Sequence, residues 1–260
     1  MKRSSWVVAA ATSWLFAGVA LANSSPVSIE IVDASGQVFR EIPVTARDGA
    51  LRSYLQAEKG ARYQVRVRNT TGERLGLVIA VDGRNIINGA KSELANSEPM
   101  YVLDAWSTQD YAGWRANLEA INEFYFTDWN DSYAEAFGDR SARGVIAVAV
   151  YGEVTPPRPV YQPHDERERS ADSAPEPSAS APASAGRRSE SAGTGYGDRR
   201  PDQAVQVEFV ARSTADSRHF IKYEWRDTLC RKHLVECGEK NRFWDESTLG
   251  FVPPPNKGSR

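Results

Sequence analysis

The sequence is poor in the residues from which reactive sites are built. Histidine occurs only at His164, His219 and His233. No two of these form a recognisable pair at metal-ligand spacing, and no metal or cofactor is expected. There is no G-x-S-x-G elbow, no P-loop and no H-E-x-x-H, so the common signatures of serine hydrolases, nucleotide enzymes and zinc proteases are missing. The glycine-rich "GTGYG" (193–197) follows a proline-rich stretch with no strand before it, and so does not read as a phosphate cradle. Net charge is also small: 32 basic against 34 acidic side chains, a formal −2. No large field points to nucleic acid or to an anionic membrane. After the N-terminus no run is apolar enough to span a bilayer, so no membrane span is expected in the mature chain, which should be soluble.

The N-terminus carries a targeting pattern. Lys2 and Arg3 precede an apolar, alanine-rich run from Val7 to Val19, and Ala20-Leu21-Ala22 fits the small-x-small cleavage rule. Residues 1–22 therefore read as a signal peptide, which makes the chain secreted and by expectation periplasmic. No cysteine follows the cleavage site, which argues against lipid attachment there.

Composition then divides the chain. Residues 156–202 hold eight of the fourteen prolines and almost no aliphatic side chains. Such a segment buries too little apolar area to offset its ordering entropy and reads as a disordered Pro/Ala/Ser-rich linker. Residues 23–155 read as strand after strand. "VSIEIVDASGQVFREIPV" (27–44) alternates around Ser35-Gly36 as a hairpin. "RYQVRVRN" (62–69) alternates strictly, with Tyr63, Val65 and Val67 on one face. "LGLVIAV" (75–81) is apolar throughout, as in a strand covered on both faces. Further strands are expected at 99–104, 110–115, 118–128 and 143–154, with helical turns at 131–139 started by Asp131 and ended by Gly138. Short strands at this spacing predict a mainly β fold, an antiparallel β-sandwich of jelly-roll type.

Asp82-Gly83, between two apolar runs, is a strong hairpin signal, since both central residues of a type I′ turn need positive φ. Asn85, Asn88 and Gly89 fit the same turn chemistry, which leaves Arg84 unexplained. After the linker, "AVQVEFVAR" (204–212) and "HFIKYEWR" (219–226) alternate and read as a C-terminal hairpin that packs back on the sandwich. "NRFW" (241–244) and "GFVPPP" (250–255) would strap the joint. Cys230 and Cys237 have two exclusive readings. They form a disulfide, as an oxidising compartment favours, or they lie on one face of an unbroken helix, where seven residues separate the Cα atoms by about 10.5 Å.

These stretches resemble an uncharacterised family of secreted bacterial β-rich proteins. The resemblance lies in "VDGRNIING" (81–89), "YVL" (101–103), "GWR" (113–115), "FYFTD" and "SYA" (124–134), "GVIAVAV" (144–150), "KYEWRDTLC" and "NRFW". It covers about half of the chain. It implies a β-rich envelope protein and supplies no activity.

Two catalytic or metal patterns fail on inspection. "DWNDSYAEAFGD" (128–139) has Asp128, Asn130 and Ser132 at the first calcium-loop positions. It puts Tyr133 where glycine is needed and Asp139 where glutamate closes the site. Glu119 and Glu123 have no defined separation for glycosidase chemistry. The remaining clue is aromatic. Trp114, Arg115, Trp129 and Tyr133, with Arg84, are the candidate binding residues, as stacking faces beside polar groups. The expected function is a non-enzymatic interaction or structural module of the cell envelope, its partner an envelope protein or glycan. A carbohydrate-binding module is the alternative, and an envelope-polymer hydrolase a weaker one.

Overall fold

The computed structural model describes residues 25–46, 48–154 and 191–237. The expected signal peptide, most of the expected linker and the 241–255 strap lie outside the described residues.

The strands in chain order are β1 (Val27–Asp33), β2 (Glu41–Val44), β3 (Leu51–Ala57), β4 (Tyr63–Asn69), β5 (Leu75–Val81), β6 (Arg84–Asn85), β7 (Tyr101–Leu103) and β8 (Thr108–Tyr111). They continue as β9 (Gly113–Arg115), β10 (Ala120–Glu123), β11 (Phe126–Asp128), β12 (Val145–Gly152), β13 (Ala192–Thr194), β14 (Arg199–Pro201) and β15 (Ser217–Trp225), followed by the short helix α1 (Arg226–Arg231). One sheet runs β2-β3-β15-β12-β5-β6, with β7 also on β5; a second runs β1-β4-β8. Two small sheets, β14-β10-β9 and β11-β13, complete the fold. The fold is a mainly β, antiparallel sandwich, with one parallel pair, β3 with β15.

Side-chain alternation explains the core. Tyr63, Val65 and Val67 of β4 point inward while Gln64, Arg66 and Arg68 point out, as their period of two requires. With Ile31 they meet Leu55, Leu77, Ile79, Ile146, Val148 and Ile221 from the larger sheet. Each such buried aliphatic contributes about 1.5–3 kcal/mol. β5 is buried at every position because the large sheet is covered on both faces. Its second face sets Val78, Ala80, Ala147, Ala149 and Tyr151 against Leu94, Met100, Ala211, Ala215 and Phe220.

Four expectations change. The 27–44 segment starts a hairpin, with Val32 bridged to Val38, but β1 then pairs with β4 and β2 with β3, in different sheets. Residues 110–115 and 118–128 each break into two short strands. The expected linker ends before Ser191, because β13 pairs with β11 and β14 with β10. In the C-terminal region only one expected strand forms. β15 lies between β3 and β12 in the middle of the sheet, whereas 204–210 has no regular secondary structure and lies outside any ladder. The cysteines take the disulfide reading, and the unbroken helix does not form. α1 carries Cys230, His233 then takes a left-handed φ of 56° that ends the helical run, and the chain turns to bring Cys237 into a disulfide with Cα atoms 5.4 Å apart.

A buried carboxylate joins the parts. Asp82 and Gly83 have φ of 50° and 82° and form the expected tight turn, yet Asp82 is fully buried. It accepts hydrogen bonds from the Tyr223 hydroxyl (2.7 Å) and from the N–H groups of Thr194 (2.8 Å) and Gly144 (2.7 Å). The Thr194 hydroxyl lies 2.7 Å from both the Tyr223 and the Tyr63 hydroxyls. Burial raises the Asp82 pKa to about 6 against the opposing pull of these donors. Further along β15, on the same face as Tyr223, burial lowers His219 to about 4; its Nε2 lies 2.9 Å from the Ser25 hydroxyl.

These two groups act oppositely on stability. The Asp82 pKa is raised on folding, so its contribution is complete below about pH 3.8 and is lost as pH rises through about 6. The His219 pKa is lowered on folding, so its contribution is present above about pH 6.5 and is lost as pH falls through about 4. Each is worth about 3 kcal/mol at most, from about 1.4 kcal/mol per pKa unit. Urea unfolding between pH 4 and 6.5 should therefore show Asp82→Asn losing stability relative to wild type on acidification, and His219→Gln gaining it. A chain ending at Val154 lacks β13 and β15 and should give an unfolded circular-dichroism spectrum. Full-length protein nicked between 155 and 190 should elute from size exclusion as one particle.

Candidate functional site: an aromatic ledge

The residues that follow β11 build the site. Trp129–Asp131 and Glu135–Phe137 are two 3₁₀ turns, and Gly138, left-handed at φ 68°, ends the second as the sequence predicts. Asp131 lies inside the first turn rather than capping it, and no side chain caps either turn. Tyr133 sits between the turns, its N–H bonded to the Thr194 carbonyl at 2.9 Å. The second wall comes from residues 195–197. Gly195 and Gly197 donate to the carbonyls of Tyr125 and Glu123, both at 2.9 Å. "GTGYG" thus begins within a strand, β13, but leads into β14 and not a helix. Its glycines serve close packing, since a side chain at Gly195 would strike the Tyr125 ring.

Tyr133 is the centre of a ring cluster. Tyr196 stacks on it with centroids 5.4 Å apart and planes at 17°. Phe137 meets it nearly edge-on at 5.0 Å. Trp114 lies beneath at 4.4 Å and donates its indole N–H to the Gly195 carbonyl at 3.1 Å. Tyr196 is 50% exposed and Phe137 55%, whereas Trp114 is 3% exposed. The ledge is therefore a stack whose base is core and whose outer rings face solvent. Asn122 donates its amide to the Tyr196 hydroxyl at 2.6 Å, which holds that ring in place. Gly89, at φ 67°, lies directly under the Tyr133 hydroxyl, where a side chain would collide.

Arg84 now has a role. It follows the Asp82-Gly83 turn, donates to the Gly89 carbonyl at 3.0 Å and lays its guanidinium over Phe137, 4.4 Å from the ring centre. Its Nε lies 3.8 Å from Asp139 Oδ2, beyond hydrogen-bond reach, and both atoms are buried without a hydrogen-bond partner. Asp139 is held below the usual carboxylate range mainly by the Ser141 hydroxyl, with Arg84 adding to the effect. Arg140 likewise holds Glu135 low through its side-chain hydrogen bond. Burial pushes the Tyr133 phenol up, so it stays a neutral hydroxyl.

The five expected binding residues divide. Trp114, Tyr133 and Arg84 come together. Trp129 does not join them: it is buried, donates to Glu135 at 2.6 Å and is covered by Arg143 at 5.2 Å. Arg115 serves another region, held by Asp202 at 2.5 Å and donating to the Tyr101 hydroxyl at 3.0 Å. Phe137 and Tyr196, the two most exposed rings of the ledge, were missed. Tyr196 lay in the segment assigned to the linker, where an aromatic between glycines was the one available signal. Among the described residues no group of three His, Cys, Asp or Glu side chains could hold a metal. What the ledge can do chemically is stack flat faces beside the Arg84 guanidinium.

Trp114→Ala should cost about 3–5 kcal/mol, as expected for emptying a core site. Tyr196→Ala and Phe137→Ala should each cost about 1 kcal/mol, the scale of a single aromatic pair. Thermal unfolding of the three variants separates base from surface.

No protein-family model matches the chain, and comparison with curated proteins and with solved structures likewise finds no match.

Proposed function

We propose that this chain is a non-enzymatic binding module of the bacterial cell envelope, exported by its N-terminal segment and working in the periplasm or outside the cell. The observation that carries the binding role is the aromatic ledge. Large exposed rings fixed by a buried base present contact area that loses little side-chain entropy when a ligand docks. The Cys230–Cys237 disulfide supports the compartment, since such bonds persist where the surroundings are oxidising. No described helix is long and apolar enough to cross a membrane. The resemblance to secreted bacterial β-rich proteins fits the same setting.

A carbohydrate ligand is the second reading. It is favoured by the half-exposed Tyr196 ring, held flat on Tyr133, and by the Arg84 guanidinium over Phe137. Sugar rings offer flat C–H faces for stacking and hydroxyls for the guanidinium, whereas a protein hot spot is usually ringed by contacts that exclude water.

Tyr196→Ala and Phe137→Ala, which leave the base intact, test both readings. Binding to envelope glycans on an array, or to a crosslinked periplasmic partner, should fall about tenfold in each variant, the effect of losing one stacking residue. Binding that survives in the double variant would remove the ledge from the function. Glycan binding lost in the variants selects the carbohydrate reading, and loss of the protein partner alone selects the other.

A further inference from the structure

Away from the ledge, a groove of about 930 Å³ runs between β7, β8 and the segment 203–209. β8 is the edge strand of its sheet, and β7 pairs only with β5. Neither has a strand on its second side among the described residues. Across the groove, 203–209 is pinned at its ends: Ala204 N–H donates to the Leu118 carbonyl at 2.7 Å, and the Val210 carbonyl accepts from Val154 N–H at 2.7 Å. Between these ends no described backbone group pairs with the N–H groups of 205–209. The Glu208 carbonyl takes the Arg74 guanidinium at 2.8 Å.

The sequence of this segment is that of a strand, yet it has no neighbouring strand. Val205 is 82% exposed and Val207 54%; in a strand, residues at a spacing of two share one side. The groove floor is apolar and aromatic, with Met100, Tyr101 and Phe209. Its charge is lopsided. Arg74 is taken by Glu153 at 3.0 Å and Arg115 by Asp202 at 2.5 Å, while the side chains of Asp104 and Glu208 form no ion pair among the described residues. The uncompensated charge is negative.

We propose that this groove is a strand-addition site that takes an extended, basic peptide segment of a partner protein between β8 and residues 203–209. Only another extended backbone offers donors and acceptors in the alternation that an open strand edge presents. Side chains at alternate positions would cover Val205 and Val207, and basic residues would reach Asp104 and Glu208. The site is separate from the aromatic ledge and stands or falls independently of it.

The full chain should be titrated with a synthetic nine-residue peptide alternating valine with lysine and threonine, followed by hydrogen exchange. The expected result is saturable binding that slows exchange of amides in 108–111 and 203–209. N-methylation of alternate peptide amides, which removes the donors facing one edge, should weaken binding about tenfold. So should Val207→Pro, which deletes a backbone donor at an exposed position; its unfolding midpoint should stay near wild type. Asp104→Asn with Glu208→Gln should flatten the salt dependence. Lack of saturation at millimolar peptide, equal binding of a scrambled peptide, or protection elsewhere would overturn the proposal. Concentration-dependent dimers that protect 203–209 without peptide would replace it with pairing between copies of this chain.

Discussion

The structure depends on one buried carboxylate. Asp82 sits in a turn that needs only a residue tolerant of positive φ, and an exposed aspartate would meet that need. Here the turn folds inward, and its oxygens collect the start of β12 at Gly144, the start of the returning chain at Thr194 and the central strand β15 at Tyr223. A buried carboxyl without donors is costly, so these segments are held by a requirement that all be present together. The Thr194 and Tyr63 hydroxyls extend the network to β4 in the facing sheet. The network thus ties residues after the undescribed 155–190 segment to the sandwich before it.

The ledge follows from this tie. Thr194 fixes Tyr133 through its carbonyl, and two residues later Tyr196 stacks on the same ring. The loop that carries Gly89 and Arg84 starts at Asp82. Elements far apart in the chain therefore meet at a surface whose geometry is set from beneath by Trp114 and the buried turn. Rigidity of this kind suits binding, because contact area is already in place before a ligand arrives.

Legibility varied with side-chain contrast. β4, β5 and β12 were readable because branched aliphatics dominate their inward positions. β3 was overlooked: its inward residues Ser53, Leu55 and Ala57 give a weak period, since serine and alanine differ little from their neighbours. β13 and β14 were hidden inside a proline-, serine- and glycine-rich stretch. Composition averages over a window, and a few glycines chosen for close packing look the same there as glycines chosen for looseness. The 204–212 segment shows the reverse error. Its alternation is real, but a strand needs a partner backbone, and no local pattern says whether one is present.

By itself the sequence determined the class of fold, the tight turn at Asp82-Gly83, the termination at Gly138 and the residue types available for stacking. These depend on local periodicity and on φ preferences, which neighbours in the chain settle. Tertiary structure alone decided which strands pair, that β15 enters the middle of the sheet beside β3, and that Trp114 is a base while Tyr196 and Phe137 are surface. It also decided that the Asp82 carboxyl turns inward to three donors and not out to water. Burial and long-range hydrogen bonding are properties of the assembled chain, and no window of sequence contains them.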